Sequence, residues 1–276
     1  MKSAPFEYLR PKTVAEASVA LGRKGVTTAA IAGGQSLLPM LNLRVAQVDL
    51  LVDISRLDDL KAVAKTPDSV WIGALTTHAA IEDGKVPDTF DGLMRRIAGQ
   101  ISYRAIRNHG TIGGSVALAD PAADWPCCLI ALDASVRVAG RMGMRMETVS
   151  EFVRGAYDTT LATGDIVIGF DVPTPAAPLR WGFAKVARKS GAFADSIAIA
   201  TTQGRDGPVC VTLGATGSRP HKLTAAAEKL RAGGSDDDLR TAIAADLAAH
   251  VPDADDYEKR MHTANILRAM RDMKAQ

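Results

Sequence analysis

With three cysteines, 5% aromatic residues and a net charge of only +2 in 276 residues, this sequence excludes several classes of function at once. Cys127, Cys128 and Cys210 are too few for a four-thiolate iron–sulfur cluster within one chain. No histidine stands at metal-ligand spacing from them, so no metal site is expected. The thiols read as buried and free, in a reducing compartment. The balanced charge supplies no field for nucleic acid or an anionic membrane surface, and the scarce aromatics leave no platform for base stacking. No apolar run is long enough to span a bilayer. The opening residues MKSAPFEYLRP hold no apolar signal core, so a cytoplasmic protein is expected. Also missing are the G-x-G-x-x-G fingerprint, the G-x-x-x-x-G-K-[ST] loop, the G-x-S-x-G elbow and a Ser-His-Asp order. Their absence disfavours a Rossmann domain, a P-loop hydrolase and a serine hydrolase.

What is present reads as alternating strands and helices. Phe6–Leu9 is strand-like and stops at Pro11. Thr13 with Glu16 forms a capping-box pattern ahead of a helix over 14–23, ended by Gly25. Strands are expected at 28–32 and 48–54, separated by a leucine-rich loop. Two β-like runs at 61–64 and 69–73 flank a Pro67-Asp68 turn. Helical runs at 92–98 and 124–132, a hairpin over 136–139 and 145–149, and a strand at 165–172 follow. Three prolines within 173–178 mark the boundary between a domain at 1–176 and one at 177–276. Beyond it come strands at 180–187, 196–202 and 209–214, then helices at 223–231, 237–249 and 257–273. Strands followed by helices imply an α+β domain with helices on one face of an antiparallel sheet.

Two glycine-rich segments attract chemistry. Ala32-Gly33-Gly34-Gln35-Ser36 lies where a strand ends, and Thr111-Ile112-Gly113-Gly114-Ser115 repeats the composition. Paired glycines permit positive φ and close backbone approach. Their N–H groups, with nearby hydroxyls, can converge on an anion such as a pyrophosphate. Either segment alone is equally an ordinary tight turn.

The two segments, with Asp120-Pro121-Ala122-Ala123-Asp124 after the second, resemble the FAD-binding medium subunit of the molybdenum hydroxylases, the xanthine dehydrogenase and aerobic carbon monoxide dehydrogenase family. Phe6-Glu7-Tyr8, Val52-Asp53-Ile54, Ile72-Gly73-Ala74, and Lys185 with Arg188 extend the resemblance along the chain. It implies a two-part FAD-binding domain of the vanillyl-alcohol-oxidase/PCMH type, followed by a small α+β domain of the carbon monoxide dehydrogenase flavoprotein type. It places Ile31, Ala32, Gly33, Gly34, Gln35, Ser36 and Leu37 at the first half of an FAD clamp, and Thr111, Gly113, Gly114 and Ser115 at the second. Asp124 would accept hydrogen bonds from cofactor hydroxyls, and Lys185 would stand near the flavin ring, where a cation favours the reduced, anionic flavin. Ile101 and Val167 would form apolar walls, and Phe193 would cover the ring. Gln35, Ser115 and Phe193 stand where carbon monoxide dehydrogenases usually have histidine, asparagine and tyrosine, which separates this chain from carbon monoxide as substrate.

By this resemblance the chain is an FAD-carrying electron-transfer subunit with no catalytic acid or base of its own. Its partners would be a large molybdenum-cofactor subunit and a small [2Fe–2S] subunit in a dimer of heterotrimers. The electron acceptor would be a quinone, oxygen or NAD. Two other readings remain open: a self-contained flavin oxidoreductase, and a flavin-free assembly subunit.

The remaining candidates have plainer readings. His109 precedes the second segment and reads as a surface residue; His78 follows Thr76-Thr77 and reads as part of a helix cap. His221 and His262 lack ligating partners. Arg104 and Arg107, around Tyr103, read either as a positive rim near the second segment or as a solvated face. Tyr257, Met261, Ala264 and Leu267 form an apolar stripe expected to face the core. Asp236-Asp237-Asp238 marks a helix start.

Overall fold

A computed structural model describes residues 2–204 and 207–275. The first layer is a three-stranded parallel sheet ordered Glu7–Leu9, Leu50–Asp53, Thr28–Ile31. Its central strand is short and buried on both faces, as a parallel strand under a helix must be. The helix Val14–Leu21 covers it, with Ala17, Ala20 and Leu21 against Leu50 and Val52. Thr13 caps this helix by accepting from the Glu16 N–H, but the reciprocal half of the expected capping box is shifted by one residue: the Glu16 carboxylate accepts from the Lys12 N–H at 2.7 Å. The helix ends at Gly22, not at Gly25, which lies in the following turn with φ +70°.

The leucine-rich stretch after the first glycine segment is not a loop. It forms the helix Leu37–Leu43, with Pro39 in the first turn, where a missing N–H costs nothing. Arg44, at φ 59°, ends it.

The second layer is an antiparallel five-stranded sheet ordered Val63–Lys65, Ser69–Gly73, Ile166–Pro173, Ser135–Gly140, Gly143–Thr148. Its core face places Val70, Ile72, Val136, Val138 and Phe170 against Trp125 and Leu129 of the helix Asp124–Ala131. Every residue of that helix is buried. The reason is that it is covered on its other side by Ser196–Gln203 and Val209–Gly214 of the next sheet. A helix apolar all round is a helix packed on both sides.

That next sheet is four-stranded and antiparallel, ordered Leu179–Val186, Ser196–Gln203, Val209–Gly214, His221–Lys222. The helices Thr224–Arg231, Asp236–His250 and Asp256–Lys274 follow it, so the α+β expectation holds. Leu179, Ile197 and Ile199 belong to the same hydrophobic cluster as Val70 and Trp125, so side chains on either side of the proline-rich stretch share one core. Leu179 N–H and the Trp181 indole N–H donate to the Asp91 carboxylate and carbonyl, at 2.6 and 2.8 Å, and tie the last sheet to the first part of the chain.

The stripe expected on the last helix is partly misplaced. Leu267 is buried as expected and Met261 partly so, but Tyr257 and Ala264 are exposed, while His262, Asn265, Ile266, Ala269, Met270 and Met273 are the further buried positions. Polar His262 and Asn265 are buried because both meet the Ser196 hydroxyl, at 2.9 and 3.1 Å. A hydrophobicity stripe cannot register such a pair. Asp236-Asp237-Asp238 does begin a helix, capped by Ser235 in a capping box. His221 stacks on His250, with ring centroids 4.8 Å apart. Among the described residues, no helix is long and apolar enough to cross a membrane, and no group of acidic, histidine and cysteine side chains could hold a metal ion.

Asp53 locks the first strand to the central one. It accepts hydrogen bonds from the Tyr8 hydroxyl, from Arg10 at 3.0 Å and from the Ser55 N–H at 2.9 Å. Burial alone would raise its carboxyl; the hydrogen bonds from Ser55, Tyr8 and Arg10 outweigh it and hold the pKa down at about 2, below the ordinary 3.8. A depressed carboxylate stabilises the fold fully above its unfolded value and loses that contribution as pH falls through its folded value. Urea unfolding of the wild type is therefore expected to lose stability between pH 3.8 and about 2 more steeply than that of Asp53→Asn. Equal slopes would contradict this role for Asp53.

Candidate functional site

The two glycine segments meet through their backbones. A Cβ at Gly33 would collide with the carbonyl oxygen of His109 and lie 2.9 Å from Gly110 Cα. Only glycine permits this approach. Gly34, at φ +70°, then turns the chain into the helix Leu37–Leu43. Among the described residues, no acceptor meets the backbone N–H groups of Gly33, Gly34, Gln35 or Ser36. The Ser36 hydroxyl makes no capping bond either, although it stands at the N-cap. Gln35 turns its amide back onto the Gly33 carbonyl at 2.9 Å. The first segment thus leaves a set of donors in reserve, which fits an anionic ligand.

The second segment works differently from the expectation. It is not a glycine turn but the start of the helix Ile112–Leu118, capped by the Thr111 hydroxyl on the Gly114 N–H at 3.1 Å. Neither Gly113 nor Gly114 has positive φ. The N–H groups of Ile112, Gly113 and Ser115 already donate to Thr76, Ala74 and Thr111 carbonyls. The segment therefore cannot repeat the amide cradle of the first. Gly113 is glycine because a Cβ there would lie 2.5 Å from Ala74 Cβ. A Cβ at Gly114 would lie 2.9 Å from the capping Thr111 hydroxyl but no nearer than 3.9 Å to Ala32 Cβ, so the side facing the first segment is open.

Between and beyond the two segments runs a cleft of about 600 Å³, bounded by all three large sheets. Ligand pockets span about 300–1,000 Å³. Ala32, Gly33, Gly34, Gln35, Ser36 and Leu37 line it on one side; Ile101, Thr111, Gly113, Gly114, Ser115 and Val167 line it on the other. Ile31 does not line it: strand alternation packs its side chain beside Leu41, Val48 and Leu51. Phe193 stands at the mouth, 67% exposed, on the loop joining the first two strands of the last sheet. That loop rests on the Ile101–Tyr103 region, since a Cβ at Gly191 would lie 3.0 Å from the Ser102 carbonyl group.

Asp124 and Lys185 both line the cleft, and they are paired with each other. Lys185 Nζ donates to both Asp124 oxygens, at 2.9 and 2.8 Å, with both side chains less than a tenth exposed. Burial pushes the Asp124 carboxyl above its ordinary value, and the Lys185 ammonium opposes that rise. The pair joins the buried helix to the last sheet, residues far apart in sequence.

Residues 161–166, just before the expected Val167, also line the cleft and were not anticipated. Gly164, at φ +92°, accepts a hydrogen bond from the Ser18 hydroxyl at 2.7 Å. The Thr163-Gly164-Asp165 turn before a strand was the available signal. His78 was read as part of a cap, but Thr77 is the cap and the His78 ring lines the cleft. His109 is exposed; it contributes its carbonyl group, not its ring, to the segment contact. Arg104 and Arg107 make no positive rim: both guanidinium groups are bound by Glu82, and Arg104 also by Asp83. Arg188 is exposed beyond the strand end.

Two outcomes follow for substitutions here. Lys185→Met strands a buried carboxylate and is expected to lower unfolding free energy by roughly 3–5 kcal/mol. The loss should shrink as pH falls and Asp124 protonates, and Asp124→Asn in the same chain should recover part of it; a pH-independent loss in urea titrations would sink this account. Gly33→Val should both weaken the fold, by about 1–3 kcal/mol of overpacking, and abolish FAD retention. Gly114→Val should abolish retention at a smaller cost to the fold than Gly33→Val, about 1 kcal/mol for disturbing the Thr111 cap, as read by flavin absorbance and by thermal melts.

Comparison with known proteins agrees with this cleft. Residues 4–175 match the family described as the FAD binding domain in molybdopterin dehydrogenase. The carbon monoxide dehydrogenase medium chain of Hydrogenophaga pseudoflava is 35% identical over 189 residues, 68% of this chain and 66% of that one. Caffeine dehydrogenase subunit beta of a Pseudomonas species is 32% identical over 195 residues, 70% of this chain. In both cases the match spans 66% of the relative's length. Among solved structures, carbon monoxide dehydrogenase from Hydrogenophaga pseudoflava superposes with a TM-score of 0.92 at 30% identity, covering 100% of this chain and 99% of that one. Quinoline 2-oxidoreductase from Pseudomonas putida superposes with a TM-score of 0.86 at 28% identity, covering 98% of this chain and 99% of that one. This chain, with its reserve of donors at Gly33–Ser36 and its glycine-walled cleft, belongs to the family of FAD-binding medium subunits of the molybdenum hydroxylases.

Proposed function

We propose that this chain is the FAD-carrying electron-transfer subunit of a multi-subunit molybdenum hydroxylase. The observation that supports it most is the continuity of the cleft. It runs from the free amide donors of Gly33–Ser36, past Gly114, to the Asp124–Lys185 pair and Phe193. A dinucleotide needs such a cleft, with anion donors in one part and apolar walls with a planar side chain in another. The residues proposed to hold FAD are Ala32, Gly33, Gly34, Gln35, Ser36 and Leu37 from the first segment, with Thr111, Gly113, Gly114 and Ser115 from the second. Ile101 and Val167 act as walls, Asp124 and Lys185 as the polar pair, and Phe193 as cover. Ile31 contributes through the strand that delivers the segment.

When bound, FAD supplies redox chemistry that relays electrons from [2Fe–2S] clusters of a small partner subunit to an external acceptor. The residues of this chain bind and orient. The Gly33–Ser36 amides present dipoles to the diphosphate without placing a charge there. Lys185 is paired with Asp124, so the two add little net charge beside the ring. Phe193 presents a face for stacking and lacks a phenol hydrogen bond.

Among the described residues, the titratable groups lining the cleft are engaged within the protein. Asp124 is bound to Lys185, Asp165 to Arg145 at 2.6 Å, Asp120 accepts from the Tyr157 hydroxyl at 3.0 Å and the Ala122 N–H at 2.9 Å, and His78 Nδ1 is occupied by an indole N–H. Substrate oxidation therefore belongs to a large molybdenum-bearing partner, with the assembly a dimer of heterotrimers. The acceptor, a quinone, oxygen or NAD, would be reached at the Phe193 mouth.

Purified with its co-expressed partners, the protein should show flavin absorbance together with iron and molybdenum. Selective loss of this chain should remove the flavin and leave the metals. A colourless chain that takes up no added FAD would overturn the reading. Substrate turnover by the yellow chain alone would favour a self-contained oxidoreductase.

A further inference from the structure

His78 opens the helix His78–Glu82 beside the second glycine segment. Its backbone N–H donates to the Gly110 carbonyl at 2.9 Å. Its ring is packed against Gly110, where an added Cβ would lie 2.7 Å from Nε2. The residue is only 6% exposed, and it lines the cleft.

The proton on this ring is placed by its neighbour. The indole Nε1–H of Trp125, itself fully buried, donates to His78 Nδ1 at 2.9 Å. An indole nitrogen only donates, so Nδ1 must present its lone pair, and the single proton of the neutral imidazole sits on Nε2. Burial, with the Arg107 guanidinium nearby, brings the ring down to about 4, so it is neutral at physiological pH. Among the described residues no acceptor meets the Nε2–H. The Nε2–H is not sealed inside the protein: it opens on the cleft, where a ligand oxygen can accept from it.

The charge inventory of the cleft limits what that acceptor can meet there. Asp120, Asp124 and Asp165 line it, and Lys185 is the one lysine or arginine among its described lining residues. Lys185 is already committed to Asp124. A diphosphate entering this cleft meets no unpaired cation and must be held by uncharged donors. The first glycine segment supplies amides, whereas the amides of 112–115 are used internally. Besides the Thr111 and Ser115 hydroxyls, the His78 Nε2–H is a further uncharged donor on the second side.

We propose that His78 is a further FAD-binding residue, a neutral imidazole whose Nε2–H donates to a diphosphate or ribityl oxygen beside Gly110–Thr111, with Trp125 as the positioning residue that fixes its tautomer. This rests on the FAD reading of the cleft. The helix Asp124–Ala131 then serves the cofactor twice: Asp124 holds Lys185, and Trp125 orients His78.

The test uses the full chain stripped of FAD and titrated with FAD, with flavin fluorescence as the readout. His78→Phe should weaken FAD binding by about tenfold or more, the worth of one buried hydrogen bond. His78→Gln, which keeps a donor, should recover part of the loss. Independently of any variant, ¹⁵N NMR of the wild type should show the Nε2–H tautomer before FAD is added and a shifted Nε2 resonance afterwards. In Trp125→Phe the tautomer preference should be lost and FAD binding weakened in parallel. Wild-type affinity in folded His78→Phe, or an Nε2 resonance unmoved by FAD, would overturn the role of His78 while leaving the FAD site intact. A wild-type chain that binds no FAD would overturn both.

Discussion

The contact on which the site depends is between two pieces of main chain. Gly33 lies so close to His109 and Gly110 that no side chain fits between them. The parallel sheet delivers Gly33 from the end of Thr28–Ile31, and the five-stranded sheet presents Ala74, on which the second segment is built. Neither sheet contains the cleft. It exists because the two are held at backbone distance, and a methyl group at Gly33 would push them apart. This explains how two segments of nearly identical composition come to different tasks. The first keeps its amides free because it is a turn suspended at a strand end. The second spends its amides on Thr76, Ala74 and Thr111 because it is the anchored start of a helix.

The helix Asp124–Ala131 transmits that arrangement to the rest of the molecule. It is buried between the five-stranded sheet and the last sheet, and its first residues face the cleft. Three prolines within 173–178 break the chain's regular structure, yet the core continues across them through Leu179, Ile197 and Ile199. The buried Asp124–Lys185 pair stands at this junction. A buried ion pair adds little net stability, but either partner alone would be a severe penalty. Such a pair specifies how the last sheet sits on the helix, and it delivers Lys185 and the Phe193 loop to the cleft with it. Position is then decided by packing, and among the described lining residues no lysine or arginine is left unpaired. Amide and hydroxyl dipoles suit a cofactor that changes its own charge as it is reduced.

Much of the fold was legible in local chemistry. Thr13 with Glu16, the alternating strands, the Pro67-Asp68 turn and the helix start at Asp236 all depend on neighbours within a few residues, and all appear in the structure. Local chemistry failed where a distant partner decided the outcome. Residues 37–43 read as a leucine-rich loop, yet they form a helix whose first turn accepts Pro39. Tyr257 and Ala264 read as core because nothing in the sequence says that His262 and Asn265 will find Ser196. Arg104 and Arg107 read as a possible anion rim because Glu82 and Asp83 are more than twenty positions away.

The sequence by itself determined the residue types of the site: glycines where backbone must approach backbone, hydroxyls beside them, and an acid and a lysine far apart in the chain. It also determined the family, because those types recur in a specific order and spacing. Only the tertiary structure decided which amides stay free, that Asp124 and Lys185 bind each other, and that the His78 ring turns inward under Trp125. The physical reason is the same each time. A residue's capacity for hydrogen bonding is written in its side chain, but whether that capacity is spent within the protein or kept for a ligand depends on what folding brings within 3 Å of it.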